Sequence, residues 1–160
     1  MVELYALEDV PTLSAYGIGS ANNGGGTDGQ EFTLAGSAAA GSFITISYEA
    51  IEFLNYFGEA PSFISGILNV NGDDAIELFF NGEVVDTFGD NTVDGTGQTW
   101  EYMDGWAYRQ IESTPGSTFQ ISGWTFSGAN AVDGCTVNDT CDSIFPFKTF
   151  GPTVCKCLLQ

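Results

Sequence analysis

The chain has 160 residues, 43% of them apolar and 14% aromatic, enough to bury one domain-sized core and too apolar for a disordered acidic tail. Its 21 acidic residues stand against three basic ones, Arg109, Lys148 and Lys156, and the resulting −18 repels a phosphate backbone, which excludes direct nucleic-acid binding. It has no histidine, so the commonest general base, the commonest zinc ligand and every Ser-His or Cys-His pair are absent.

Glycine is frequent, 21 in all, and it cuts the chain into short apolar runs, the pattern of a sandwich or barrel. Val2 to Leu7 reads as a strand, Pro11 as a turn, and Leu13 to Ile18 as a second short run. Gly17 to Gly29 reads as a long polar loop, because Asn22-Asn23-Gly24-Gly25-Gly26 is too permissive for regular structure. No Lys follows this stretch and no helix pattern begins after it, so it does not read as a phosphate cradle. Strands are predicted over Glu31 to Leu34 and Ser42 to Ser47, joined by a small-residue turn at 35–41. Glu49 to Phe57 is the one helix candidate, with Ala50, Ile51, Leu54 and Phe57 on one face, Ser47 as cap, and Gly58 with Pro61 ending it.

The clearest local signal comes next. Ala75 to Phe80 and Glu83 to Phe88 are β-rich runs separated by Asn81-Gly82, and Asn-Gly favours a two-residue type I′ turn because both positions must tolerate positive φ. Ile76, Leu78 and Phe80 face one way, with Val85 in the corresponding place on the return strand. An acidic turn from Gly89 to Gly95 follows, then an aromatic segment from Trp100 to Tyr108. Further strands are predicted near Tyr108 to Glu112, Thr118 to Ile121 and Trp124 to Ser127.

All four cysteines, Cys135, Cys141, Cys155 and Cys157, fall in the last part of the chain. Their gaps of five, thirteen and one residue match no common zinc ribbon, so two disulfides are expected, and with them an oxidising compartment. A Cys155–Cys157 bond would close a very small ring, so each of that pair is expected to reach back to Cys135 or Cys141 and clasp the tail. Asn138-Asp139-Thr140 is a glycosylation sequon. No apolar run approaches a membrane span, and with Met1 directly before a strand the chain reads as an excised or processed piece.

The order of elements resembles that of lamin-tail-like domains. Val2-Glu3-Leu4-Tyr5 followed by Leu13-Ser14-Ala15-Tyr16-Gly17-Ile18 is similar to their opening, and Phe43-Ile44-Thr45-Ile46 to the strand that follows. Asn71-Gly72-Asp73-Asp74-Ala75-Ile76-Glu77-Leu78, with Asn81-Gly82 and Val84-Val85-Asp86, resembles their central hairpin. Asp104-Gly105-Trp106-Ala107-Tyr108-Arg109 and Trp124-Thr125-Phe126-Ser127 resemble the closing strands of a bacterial branch. The likeness spans roughly residues 2–130 and implies an immunoglobulin-like β-sandwich used as an accessory module of secreted proteins. The family's usual opening strand has no counterpart here, which leaves a place beside Val2 to Leu7 for the tail after Ile144 or a neighbouring chain. The cysteine tail is also outside the pattern. The expected architecture is thus an all-β sandwich over residues 1–134, with one short helix, and a disulfide-clasped tail over 135–160 packed on the same domain.

Candidate sites are few. Asp73, Asp74, Asp90 and Asp94 lie in the turns flanking the hairpin, whose far ends a tight turn brings together, and their oxygens suit calcium, although no EF-hand pattern is present. Trp100, Tyr102 and Trp106 are candidates for a sugar-stacking platform, against the alternative that they fill the core. Arg109, the one arginine, is expected in a structural ion pair with a carboxylate. These residues point to a non-catalytic, extracellular or cell-surface structural or adhesive module whose partner is protein (another copy or a neighbouring module) or polysaccharide. A carbohydrate-binding module is the alternative, and a carboxylate-based glycoside hydrolase the third reading.

Overall fold

The computed structural model describes residues 1–151. Cys155 and Cys157, and the pairing expected of them, lie outside the described residues. The elements in chain order are β1 (Val2–Tyr5), β2 (Tyr16–Ala21), β3 (Phe32–Thr33), β4 (Phe43–Ser47), α1 (Ala50–Phe57), β5 (Phe63–Ile64), β6 (Ala75–Phe80), β7 (Glu83–Phe88), β8 (Ala107–Arg109) and β9 (Trp124–Phe126). The fold is mostly β. Among the described residues, three sheets, ordered β1-β4-β5, β3-β2-β6-β7 and β8-β9, accompany one α-helix. The first two sheets share a core of Leu13, Ile18, Leu34, Ile44, Ile46 and Leu68, against which Val2, Leu4, Ile76 and Leu78 pack. Ile18 and Ile46 are wholly inaccessible, and burial of such a side chain contributes about 1.5–3 kcal/mol.

The stretch read as a loop from Gly17 onward is a strand as far as Ala21, and it is the central one, pairing with β3 on one side and β6 on the other. Its glycines are there for space rather than flexibility. A Cβ on Gly17 would lie 2.4 Å from the Gln30 side chain and the Phe32 carbonyl, and one on Gly19 2.4 Å from the Gly29 carbonyl. Residues 29–32 therefore run close over the face of β2 that points away from the shared core. On that same face Gly17 and Gly19 oppose Phe79 and Glu77 of β6, so a strand of small residues lies beside one of large ones.

The hairpin forms as expected, with Asn81 and Gly82 both at positive φ. Val85 does not hold the place assigned to it. Phe79 pairs with Val84 and Leu78 with Asp86, so Val85 is the extra residue of a β-bulge. The face opposite Ile76 and Leu78 is not solvated either: Phe79 is 2% and Glu77 1% exposed. No strand forms over 118–121, where a 3-10 turn at Ile121–Gly123 leads into β9.

Helix α1 ends at Gly58 in the left-handed conformation, and Phe57 packs inward, both as the sequence indicates, but Ile51 and Leu54 of the expected face do not. Phe53 is buried while Ile51 is 71% and Leu54 46% exposed. The aromatic rings decide this: Phe53 and Phe57 pack with Phe147 of the tail, the Phe57–Phe147 rings stacking at 4.4 Å. Ser47 does not cap the first turn. Its hydroxyl donates to the Glu49 carbonyl, and Glu49 takes the cap position without a side-chain bond.

In the tail, Cys135 is bonded to Cys141. This corrects the expectation that each reaches across to the 155/157 pair: a six-residue separation already brings the two Cα atoms to 5.5 Å, well within bridging range. The sequon residue Asn138 is 4% exposed, and its amide accepts from the Phe145 N–H and donates to the Phe145 carbonyl. The folded chain therefore gives that asparagine no room for a glycan; its role is to pin the turn that carries Phe145 inward.

Strand β1 lies at the edge of its sheet. Ala6 donates to Ser42 and accepts from Gly41, so by alternation the main-chain groups of Glu3 and Tyr5 point away from β4. Among the described residues the tail crosses here without adding a strand. Phe150 packs edge-on to Tyr5 at 5.2 Å, and the Lys148 N–H donates to Glu3 Oε2 at 3.0 Å, while the Lys148 ammonium pairs with Glu59. Burial pushes the Glu3 carboxyl up to about 7 despite the opposing pull of the Lys148 N–H and charge, with Glu59 adding to the rise. The folded state thus holds this proton more tightly than the unfolded chain, whose value is 4.5. Stability from this group is full below 4.5 and is lost as pH rises through about 7. Glu3→Gln should therefore melt with wild type in acid and above it in alkali. A melting-temperature difference independent of pH would refute this.

Candidate functional site

The two acidic turns meet, as the hairpin requires. The Gly95 N–H donates to the Asp73 carbonyl at 3.0 Å and the Thr96 hydroxyl to Asp73 Oδ2 at 2.8 Å. The four aspartates nevertheless have different surroundings. Asp90 and Asp94 are exposed, and each closes a local turn, accepting from Thr92 and Thr96 respectively. Those bonds, the Thr92 hydroxyl first for Asp90 and the Thr96 N–H first for Asp94, lower both carboxyls below the usual range. Asp73 and Asp74 turn inward. Asp74 Oδ1 accepts the Asn23 N–H at 2.9 Å, and its carbonyl accepts the Tyr102 hydroxyl at 3.0 Å. Burial pushes the Tyr102 hydroxyl up, with Asp74 and then Asp73 adding to the effect. Among the described residues, no three His, Cys, Asp or Glu side chains group closely enough to hold a metal ion by themselves.

Sequence reasoning missed Glu77. It reads as the polar member of an alternating strand, yet it lies beneath the loop after β7, with Oε1 accepting from the Asn91 amide at 2.9 Å. The nearby Glu31 accepts from the Ser20 N–H at 2.7 Å. No periodicity signals either contact, because both depend on loops that cover a sheet face from outside.

The three aromatic candidates do not form a solvent-facing row. Trp100 is 5% exposed, and its ring packs against Phe88 and Phe119. Tyr102 packs on Phe88 with its hydroxyl engaged as described, and Trp106 is half-buried, its indole N–H donating to the Ser143 carbonyl at 3.2 Å. Arg109 grips both oxygens of Asp86 at 2.6 Å, lies 4.4 Å over the Trp124 ring, and donates to the Thr114 carbonyl. Asp86 also accepts the Gly116 N–H, so this one fork ties residues 109–116 to β7. A groove of about 450 Å³ runs between the end of α1 and residues 137–149; the carboxylates lining it are Glu59, already paired with Lys148, and Asp139. No helix is long and apolar enough to cross a membrane among the described residues. No protein-family model matches the chain, nor does any curated protein or solved structure.

Proposed function

We propose that the chain is a non-catalytic structural or adhesive module of a secreted or surface assembly, meeting a protein partner through its β4–α1–β5 unit. The outward face of α1 carries this reading: Ile51 and Leu54 are open on the helix, and Tyr48 and Ile64 are 44% and 57% exposed on the segments that flank it. Contiguous apolar side chains left open mark interaction surfaces more often than chance. The rest of the surface is anionic, since both cationic side chains among the described residues are already paired with carboxylates. Such a surface repels a second copy and favours a basic partner.

Three further observations support the reading. The Cys135–Cys141 bond suits an oxidising, extracellular setting. The resemblance to lamin-tail-like domains over residues 2–130 implies an immunoglobulin-like accessory module. The carbohydrate reading loses its platform when Trp100 and Tyr102 are spent on packing, and a hydrolase would need two convergent free carboxylates, where the groove offers Glu59 in an ion pair. The test is a photoreactive phenylalanine analogue at Ile51, and at Glu83 in the hairpin turn as control, in the cells that make the protein. Position 51 should yield a discrete protein adduct and position 83 none. A glycan adduct, equal labelling at both positions, or no adduct at 51 would overturn the proposal.

A further inference from the structure

Three carboxylates are buried within five residues of chain, Asp73 at 9%, Asp74 at 4% and Glu77 at 1% exposure. Each accepts hydrogen bonds only from neutral groups: the Thr96 hydroxyl and the Asn71 amide for Asp73, the Asn23 N–H for Asp74, the Asn91 amide for Glu77. The described cations are committed elsewhere, Arg109 to Asp86 and Lys148 to Glu59. Asp73 Oδ1 goes further, being fully buried with no hydrogen-bond partner at all. A carboxylate oxygen taken out of water without donor or counter-charge is among the most expensive arrangements a fold can hold.

We infer that Asp73 Oδ1 anchors a calcium ion beneath the loop that follows β7. The carboxylate's other oxygen, Oδ2, is held by the Thr96 hydroxyl and the Asn71 amide, and the buried Asp74 is next in the chain; none of these brings a thiol or imidazole, which selects a hard cation. Calcium accepts irregular loop geometry and completes its shell with carbonyls, amide oxygens and water, so it does not require three convergent carboxylates; magnesium demands a near-ideal octahedron. Asp90 and Asp94 take no part, because they are exposed and their turn bonds already use them. The site is independent of whether α1 docks a partner.

Calcium titrated calorimetrically into metal-stripped protein should bind with one-to-one stoichiometry, and magnesium far more weakly. Asp73→Asn should weaken calcium by about tenfold or more, since it removes the ligand charge while keeping the shape. Asp90→Asn and Asp94→Asn should bind as wild type. A second measurement needs no variant. Trp100 lies against this turn, a Cβ on Gly95 meeting both the Asp73 carbonyl and the Trp100 ring at 2.6 Å. Terbium bound by wild-type protein should therefore luminesce on indole excitation, and calcium should quench that emission. Absence of both calcium heat and sensitised emission would overturn the inference. Binding that survives Asp73→Asn but is lost in Asp90→Asn or Asp94→Asn would overturn it equally, by placing the ion in the exposed turns.

Discussion

Gly72→Ala is expected to be among the most damaging single-methyl additions this chain can suffer. Gly72 sits at φ +102°, and an added Cβ would lie 2.3 Å from Met103 Cα and 2.4 Å from its nitrogen. Backbone cannot swing aside as a long side chain can. The Gly72 carbonyl also accepts the Tyr102 N–H at 2.7 Å, so the same contact that the methyl would break holds the aromatic segment over the buried acids. Overpacking of about 1–3 kcal/mol and backbone strain of about 1–3 kcal/mol together predict a loss of roughly 2–6 kcal/mol. For a chain of this size that lowers the melting temperature on the order of 10 °C. Gly36 is the control: its φ is +86°, but nothing lies within 4 Å of an added Cβ, so Gly36→Ala should show the strain alone. Equal losses in the two variants would mean that residues 101–103 do not clamp this turn. Calcium binding should fail with Gly72→Ala and persist with Gly36→Ala.

Arg109→Ala should cost about 2–4 kcal/mol, somewhat below the range for a fully buried pair, because the Arg109 and Asp86 side chains keep 17% and 19% exposure. The loss has two parts. Asp86 is left half-buried with only main-chain donors, Thr87 and Gly116, and the guanidinium's stacking on Trp124 is lost as well. Arg109→Lys should recover little, since an ammonium has no second nitrogen to reach the Thr114 carbonyl while it holds Asp86, and no planar group to lie on Trp124. Asp86→Asn combined with Arg109→Met should recover most of it, because removing both charges leaves neither one stranded. A wild-type melting temperature for Arg109→Ala would show the fork to be an ordinary surface pair and free the arginine for other duties. Denaturant unfolding of the four proteins decides between these outcomes.

These two residues illustrate what was legible beforehand. The ion pair of Arg109 follows from sequence, since a lone arginine among 21 carboxylates finds one; that the carboxylate is Asp86 does not, because the two are 23 residues apart and on different sheets. The hairpin was equally plain, for the I′ turn is a local demand that Asn81-Gly82 meets without help from the rest of the chain. From the hairpin alone it also followed that the acidic turns on either side of it would meet.

What the sequence by itself determined is therefore what short-range chemistry controls: a β-rich chain cut by glycines, the I′ turn, the left-handed end of α1, and an anionic surface. Tertiary structure decided which faces are inside. The stretch from Gly17 to Ala21 looks like loop because Gly17 and Gly19 lower strand propensity, yet the neighbouring segment 29–32 needs their bare backbone to pass, and packing outweighs propensity. Helix α1 offers more apolar side chains than it buries, and only the rings of the tail, far along the chain, choose Phe53 alongside Phe57 over Ile51 and Leu54. Glu77 and Asp73 look like surface acids in any window of sequence. They are buried because loops remote in the chain close over the outer face of a sheet, and a local pattern carries no record of what will later cover it.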